Sequence, residues 1–160
     1  DLIEGYAEHL PEVRSVPELM GIEGNIRQAY YEAFDLILNE FQMEGRSKQP
    51  PQNEVNALIS FGNMMCYSQC LRAIHQTQLN PTISYLHTPG ERRYSLSLDI
   101  TEIFKPLLVD RVIFKLLNKK ELQERHFDKK MNRCLVQLKS QLSLLEESFL
   151  ISLFVLQVMI

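Results

Sequence analysis

The chain has 160 residues, a formal net charge of −3 and 23% charged residues. That length is enough for one domain with a sizeable core. The near-neutral balance excludes nucleic-acid binding by bulk positive charge, so any DNA contact has to come from a local cluster such as Arg92–Arg93, Lys119–Lys120 or Lys129–Lys130. The lysine pairs read first as solvated helix faces. Cys66, Cys70 and Cys134 make no disulfide framework, which fits an intracellular, reducing compartment. Cys66 and Cys70 are four apart in an apolar helical pattern and read as packing residues; a zinc site from them and His75 lacks a second spaced pair. No signal peptide is legible, and the apolar run from Phe149 to Ile160 is too short to cross a membrane.

In chain order, Leu2 to Leu10 reads as a helix that Pro11 breaks. Ser15-Val16-Pro17-Glu18 is a capping box with proline in the first turn, and it predicts a helix running to about Met43. Ile26, Tyr30, Phe34, Ile37 and Phe41 form its buried stripe, with Glu23 and Arg27 on a neighbouring line. A polar loop from Gly45 to Gln52 follows, then Asn53 as the cap of a helix over 54–78 that Asn80-Pro81 ends. Asn53 and Asn56 read as capping and packing residues. Tyr94, Leu96 and Leu98 alternate with Ser95 and Ser97, which predicts a short half-buried strand after a Pro89-Gly90 turn. A helix over 100–117 comes next, kinked at Pro106 and carrying Asp110 and Arg111 as an internal ion pair or a lobe-facing polar contact. Asn118 is placed to cap one more helix, 119–126, and the rest reads as helical.

The stretch from Pro81 to Pro106 carries most of the chemistry. Asp99 stands at the predicted strand-to-helix junction, Glu102 is three residues on, and His87 lies across the turn. The plain reading is an N-cap with its capping-box partner and a polar loop histidine. The functional reading is a metal or catalytic site that needs a third ligand from elsewhere.

Three motifs in order go further: GIEGNIRQAYYEAF from Gly21, RSKQPPQNEVNALISFGNMMCY from Arg46, and LNPTISYLHTPGERRYSLSLDITEIFKPLLVDRVIF from Leu79. Together they resemble the catalytic lobe of the universal CRISPR adaptation integrase, a family of DNA endonuclease/integrases that insert spacers into CRISPR arrays. RSKQPP, SYLH and ERRYSLSLDI resemble the branch found with type I systems, and the likeness spans about residues 18–118. The resemblance implies a metal site of Glu23, His87 and Glu102, with Asp99 as a nearby second carboxylate of the catalytic set. Such donors suit Mg²⁺ or Mn²⁺. Arg92 and Arg93 beside the site are expected to hold DNA phosphates, against the plain reading of a solvated loop. Tyr67 matches a family tyrosine near the active site and reads either as a contact to the DNA end or as a core aromatic; Arg27 is placed with the DNA-binding residues.

The expectation is therefore a mostly α, multi-helix catalytic domain over 1–160 with at most a short strand or hairpin. It is expected to be a fragment of a longer chain, without the N-terminal β-domain of the family. Its expected activity is metal-dependent joining of 3′-hydroxyl DNA ends into a repeat array, in a prokaryotic cytoplasm. The implied partners are double-stranded and branched DNA, a second copy in a homodimer, and a small ferredoxin-like CRISPR adaptation protein; no membrane is expected. The alternative is a non-catalytic DNA-binding or scaffold fragment of the same assembly. The stretch 135–160 departs from the family in being more apolar than its charged C-terminal helix.

Overall fold

A computed structural model describes residues 2–87, 93–130, 133–136 and 147. The expected helix over the last stretch, the Pro89-Gly90 turn and Arg92 lie outside these residues.

Helix α1, Leu2–His9, ends in a single 3₁₀ turn at Leu10–Glu12 that contains Pro11. Helix α2, Val16–Glu32, starts as its sequence dictates. Ser15 Oγ accepts the N–H of Glu18 at 3.4 Å, and Glu18 reaches back to the N–H of Arg14 at 2.9 Å. The expected helix to Met43 stops early: a short α3, Phe34–Ile37, gives way to extended Leu38. Remote partners take over the backbone there. Asp35 accepts the N–H of Met43 at 2.5 Å, and Asn118 accepts the N–H of Asn39 and donates to the carbonyl of Ile37. Phe34 and Phe41 are buried as expected, whereas Ile37 is 46% exposed. Phe34 meets Tyr30, Tyr31 and Phe114 edge-on at centroid distances of 5.3, 5.3 and 4.6 Å. Burying one such ring contributes about 1.5–3 kcal/mol.

The loop before the next helix is built on Asn56, which is 1% exposed. Its amide donates to the carbonyls of Met43 and Gly45, and its oxygen accepts from Ser47 N–H and Arg46 Nη1. Gly45 turns the chain at φ +87°, a conformation open to glycine. The RSKQPPQNEVNA motif is thus a structural junction. Helix α4, Glu54–Ile74, is capped by Asn53, whose side chain accepts the N–H of Asn56 at 2.9 Å. It buries Val55, Leu58 and Ile59 fully and packs against the helices Ser95–Lys105 and Arg111–Asn118 and the strand Arg133–Val136, which explains its many-sided apolar surface. Cys66 is buried in it and Cys70 packs on the same core; Cys66, Cys70 and Cys134 are free thiols.

The predicted strand at 94–98 does not form. Helix α5 spans Ser95–Lys105, so Asp99 sits a turn inside it and is not its cap. The alternation misled because Ser95 and Ser97 are themselves buried, at 1% and 0% exposure. Tertiary bonds support this helix start: the N–H of Leu96 donates to the carbonyl of Pro81, and Ser95 Oγ donates to that of Thr82. Pro106 opens a π-helical turn, Pro106–Asp110, where a kink is expected, because proline lacks the N–H of a regular turn. Helix α6, Arg111–Asn118, follows. Asp110 accepts from Tyr30 Oη at 3.0 Å and does not pair with exposed Arg111.

Beyond Asn118 the expected helix is replaced by a 3₁₀ turn, Glu124–His126, because Asn118 spends its side chain on the α3 end. Strands β1, Phe127–Lys130, and β2, Arg133–Val136, then form an antiparallel hairpin with Phe127 opposite Val136. Phe127 and Cys134 are buried, and the N–H of Cys134 donates to the carbonyl of Pro51 at 2.7 Å. Lys129–Lys130 thus lie on a strand and not on a helix face, while Lys120 pairs with Glu40, both well exposed. No described helix is long and apolar enough to cross a membrane.

Candidate active site

Three segments meet at one polar cluster: α2 through Glu23 and Arg27, the loop 81–87 through His87, and α5 through Asp99, Glu102 and Lys105. Glu23 and Arg27 are one helical turn apart and pair within α2. Asp99 and Glu102 project to one side of α5 because they are three apart on a helix.

Asp99 is the anchor of the loop. Its Oδ2 accepts the backbone N–H of Tyr85 at 2.6 Å and of Leu86 at 3.1 Å. Its Oδ1 accepts the N–H of His87 at 3.2 Å and lies 2.6 Å from His87 Nδ1. Burial opposes the charge of Asp99, but His87 and the N–H groups of Leu86, Tyr85 and His87 outweigh it and hold the carboxyl below its ordinary value. A carboxylate on Nδ1 favours the tautomer whose proton sits there, with Nε2 turned to the other side of the ring. Nε2 lies 3.9 Å from Glu102 Oε1.

Glu102 is the acid that meets both cations of the cluster. Arg27 Nη2 is 2.6 Å from its Oε2, and Lys105 Nζ is 3.3 Å from its Oε1. Burial would raise its pKa, yet Arg27, Glu23 and Lys105 hold it down at about 2. Glu23 goes the other way: burial and the neighbouring Glu102 carboxyl raise it. Burial lowers Lys105 against the pull of Glu102, whereas for Arg27 the two carboxylates outweigh burial and raise it. Lys105 is a member that the sequence reading missed; its place three residues after Glu102 was the available signal.

Glu23 Oε1 and Glu102 Oε2 share Arg27 Nη2, and Glu102 Oε1 faces His87 Nε2. Two carboxylates and one imidazole nitrogen are a donor set that fits a hard divalent cation. Among the described residues, no three His, Cys, Asp or Glu side chains converge as a ready cage. The Arg27 guanidinium stands between two of the three donors.

The other candidates lie apart. Tyr67 Oη donates to the carbonyl of Tyr94, the residue before α5, at 3.5 Å. Arg93 is exposed and its guanidinium lies 5.5 Å from the Tyr94 ring centroid. His75 meets the same ring edge-on at 6.0 Å.

The fold and site together define a helical lobe whose polar centre is made from an α-helix, a histidine loop and a second helix. The chain belongs to the CRISPR associated protein Cas1 family, whose profile matches residues 1–148. It is 52% identical over 146 residues to CRISPR-associated protein Cas1 1 of Methanobrevibacter ruminantium, covering 91% of this chain and 45% of the relative. It is 58% identical over 130 residues to CRISPR-associated endonuclease Cas1 of Fusobacterium nucleatum, covering 81% and 38%. A solved Cas1 protein from Thermotoga maritima superposes with a TM-score of 0.87 at 40% identity, covering 94% of this chain and 49% of that one. The chain thus spans under half the length of the curated relatives it matches.

Proposed function

We propose that this lobe is the catalytic part of a metal-dependent DNA endonuclease/integrase acting in CRISPR spacer acquisition. Membership of the Cas1 family supports the reading. The observation that carries it is the meeting of His87, Glu102 and Glu23 from three separate segments, with His87 oriented by Asp99.

Glu23, Glu102 and Nε2 of His87 would hold Mg²⁺ or Mn²⁺. When bound, the cation supplies Lewis-acid stabilisation of phosphate oxygens and of the attacking and leaving oxygens. Asp99 acts through His87 and its loop: it holds the ring by Nδ1, so that Nε2 and not Nδ1 faces the carboxylates. This makes it a positioning residue. Lys105 and Arg27 offset the carboxylate charge that would otherwise repel an incoming phosphodiester. Arg93, Arg92 and Tyr67 contact the DNA, the arginines through phosphates. The substrates are duplex and branched DNA, attacked by a 3′-hydroxyl for strand transfer or by water for cleavage. A homodimer and a small ferredoxin-like partner set the spacing of the two reaction sites.

The test is strand transfer on a branched DNA that mimics an integration product, with Mn²⁺, with EDTA and with His87→Ala. Activity that needs Mn²⁺ and is lost in the variant is the expected outcome. DNA binding without strand transfer in any metal refutes the catalytic reading and leaves a scaffold. Strand transfer that survives His87→Ala refutes the ligand assignment.

A further inference from the structure

Arg27 is the group of the cluster that bridges two of the three expected donors. Its Nη2 donates to Glu23 Oε1 and, at 2.6 Å, to Glu102 Oε2, one oxygen from each of the two acids. A divalent cation held by both Glu23 and Glu102 would compete with Arg27 for their oxygens. A guanidinium and a cation cannot both sit between them. The side chain of Arg27 is 32% exposed, so it has a way out towards solvent. Lys105, in contrast, engages the other oxygen of Glu102, Oε1.

We propose that Arg27 keeps the place of the divalent cation between Glu23 and Glu102, and that on loading it leaves this place for a phosphate of the bound DNA. The inference rests on the metal-dependent reading above and deepens it. Three physical points carry it. Two carboxylates brought this close repel, and a shared cation holds them in register while neither partner can be spared. The single positive charge of Arg27 offsets them only in part, so a doubly charged ion is the stronger claimant. The released guanidinium is planar with five donors, a shape that matches phosphate oxygens. Arg27 shares α2 with Glu23, so its departure needs only side-chain rotation and leaves both acids on their helices. Cation loading and DNA binding are then linked, each favouring the other.

The test uses the full chain, stripped with EDTA, as wild type, Arg27→Gln and Arg27→Lys. Mn²⁺ affinity is read from the electron paramagnetic resonance signal of free Mn²⁺, and binding of a branched duplex is followed across a salt series with and without Mn²⁺. Removing a part-exposed guanidinium is expected to tighten Mn²⁺ binding roughly five- to tenfold. Arg27→Lys, which keeps the charge, is expected to bind Mn²⁺ more weakly than Arg27→Gln. With Mn²⁺ present, Arg27→Gln is expected to lose DNA affinity and about one unit of salt slope. Unchanged or weaker Mn²⁺ binding in Arg27→Gln overturns the exchange, as does the reverse order of the two variants. An unchanged salt slope overturns the transfer to phosphate. Absence of Mn²⁺ binding in the wild type overturns the metal reading itself, and the exchange with it.

Discussion

Replacing Asp99 by asparagine changes two atoms' worth of chemistry and almost no volume, which makes it a clean probe of how the histidine is held. Four donors converge on the two oxygens of Asp99: the N–H groups of Tyr85, Leu86 and His87, and His87 Nδ1. Asparagine offers one oxygen and an NH₂, so whichever way it turns, two of the four donors lose their acceptor. A hydrogen bond to a charged group contributes about 1.5–3 kcal/mol, and the low end applies because water reaches the exposed Tyr85. The expected loss of stability is thus about 3 kcal/mol near neutral pH, read as a lower urea midpoint. The pH dependence has a definite sign. The folded pKa of Asp99 lies below its ordinary 3.8, so the stabilisation is fully present above that value and fades as pH falls through the depressed one. Wild type and variant therefore converge in acid. Misorienting the His87 ring is also expected to weaken Mn²⁺ binding by about 10–100-fold. An unchanged urea midpoint at neutral pH refutes the loop-anchoring role, and unchanged Mn²⁺ affinity refutes the control of His87 by Asp99.

Two further outcomes follow from buried polar groups away from the cluster. Asp110 is 2% exposed, and burial pushes its carboxyl up to about 6 from 3.8. A raised folded value favours the protonated acid, so the stability it gives is present below 3.8 and is lost as pH rises through about 6. Asp110→Asn keeps an acceptor for Tyr30 and is expected to stabilise the protein at neutral pH, on the order of 3 kcal/mol at most, with the gain vanishing in acid. Urea titrations at both pH values check it, and a destabilised variant at neutral pH refutes it. Asn56→Ala leaves the carbonyl of Gly45 and the N–H of Ser47 without their partner, while the carbonyl of Met43 keeps Asn53 Nδ2 and Arg46 keeps Ser47 and Ser60, so a loss of about 2 kcal/mol or more is expected in a thermal or urea melt. A loss under about 1 kcal/mol would refute the view of the RSKQPP loop as held by that one amide.

What the sequence by itself determined is local. Ser15 and Asn53 begin their helices as expected because a cap joins a side chain to an N–H three residues on, and both partners are legible together. The residue types of the site, two glutamates, an aspartate and a histidine, are legible for the same reason, and family motifs tie them together. Tertiary structure decided the rest. Ser95 and Ser97 are buried and the carbonyls of Pro81 and Thr82 take the first donors of α5, so an alternating pattern that reads as a strand becomes a helix. That change moves Asp99 from a helix cap to the anchor of a loop on another segment, a role set by four bonds that span 12 to 14 residues. The hairpin at 127–136 escaped because its strands are four residues each, and its burial depends on Pro51 far away in the chain. The place of Arg27 was equally hidden. From sequence it pairs with Glu23 four residues before it; only the packing of α2 beside α5 brings Glu102 to its other side and makes it the bridge between two acids.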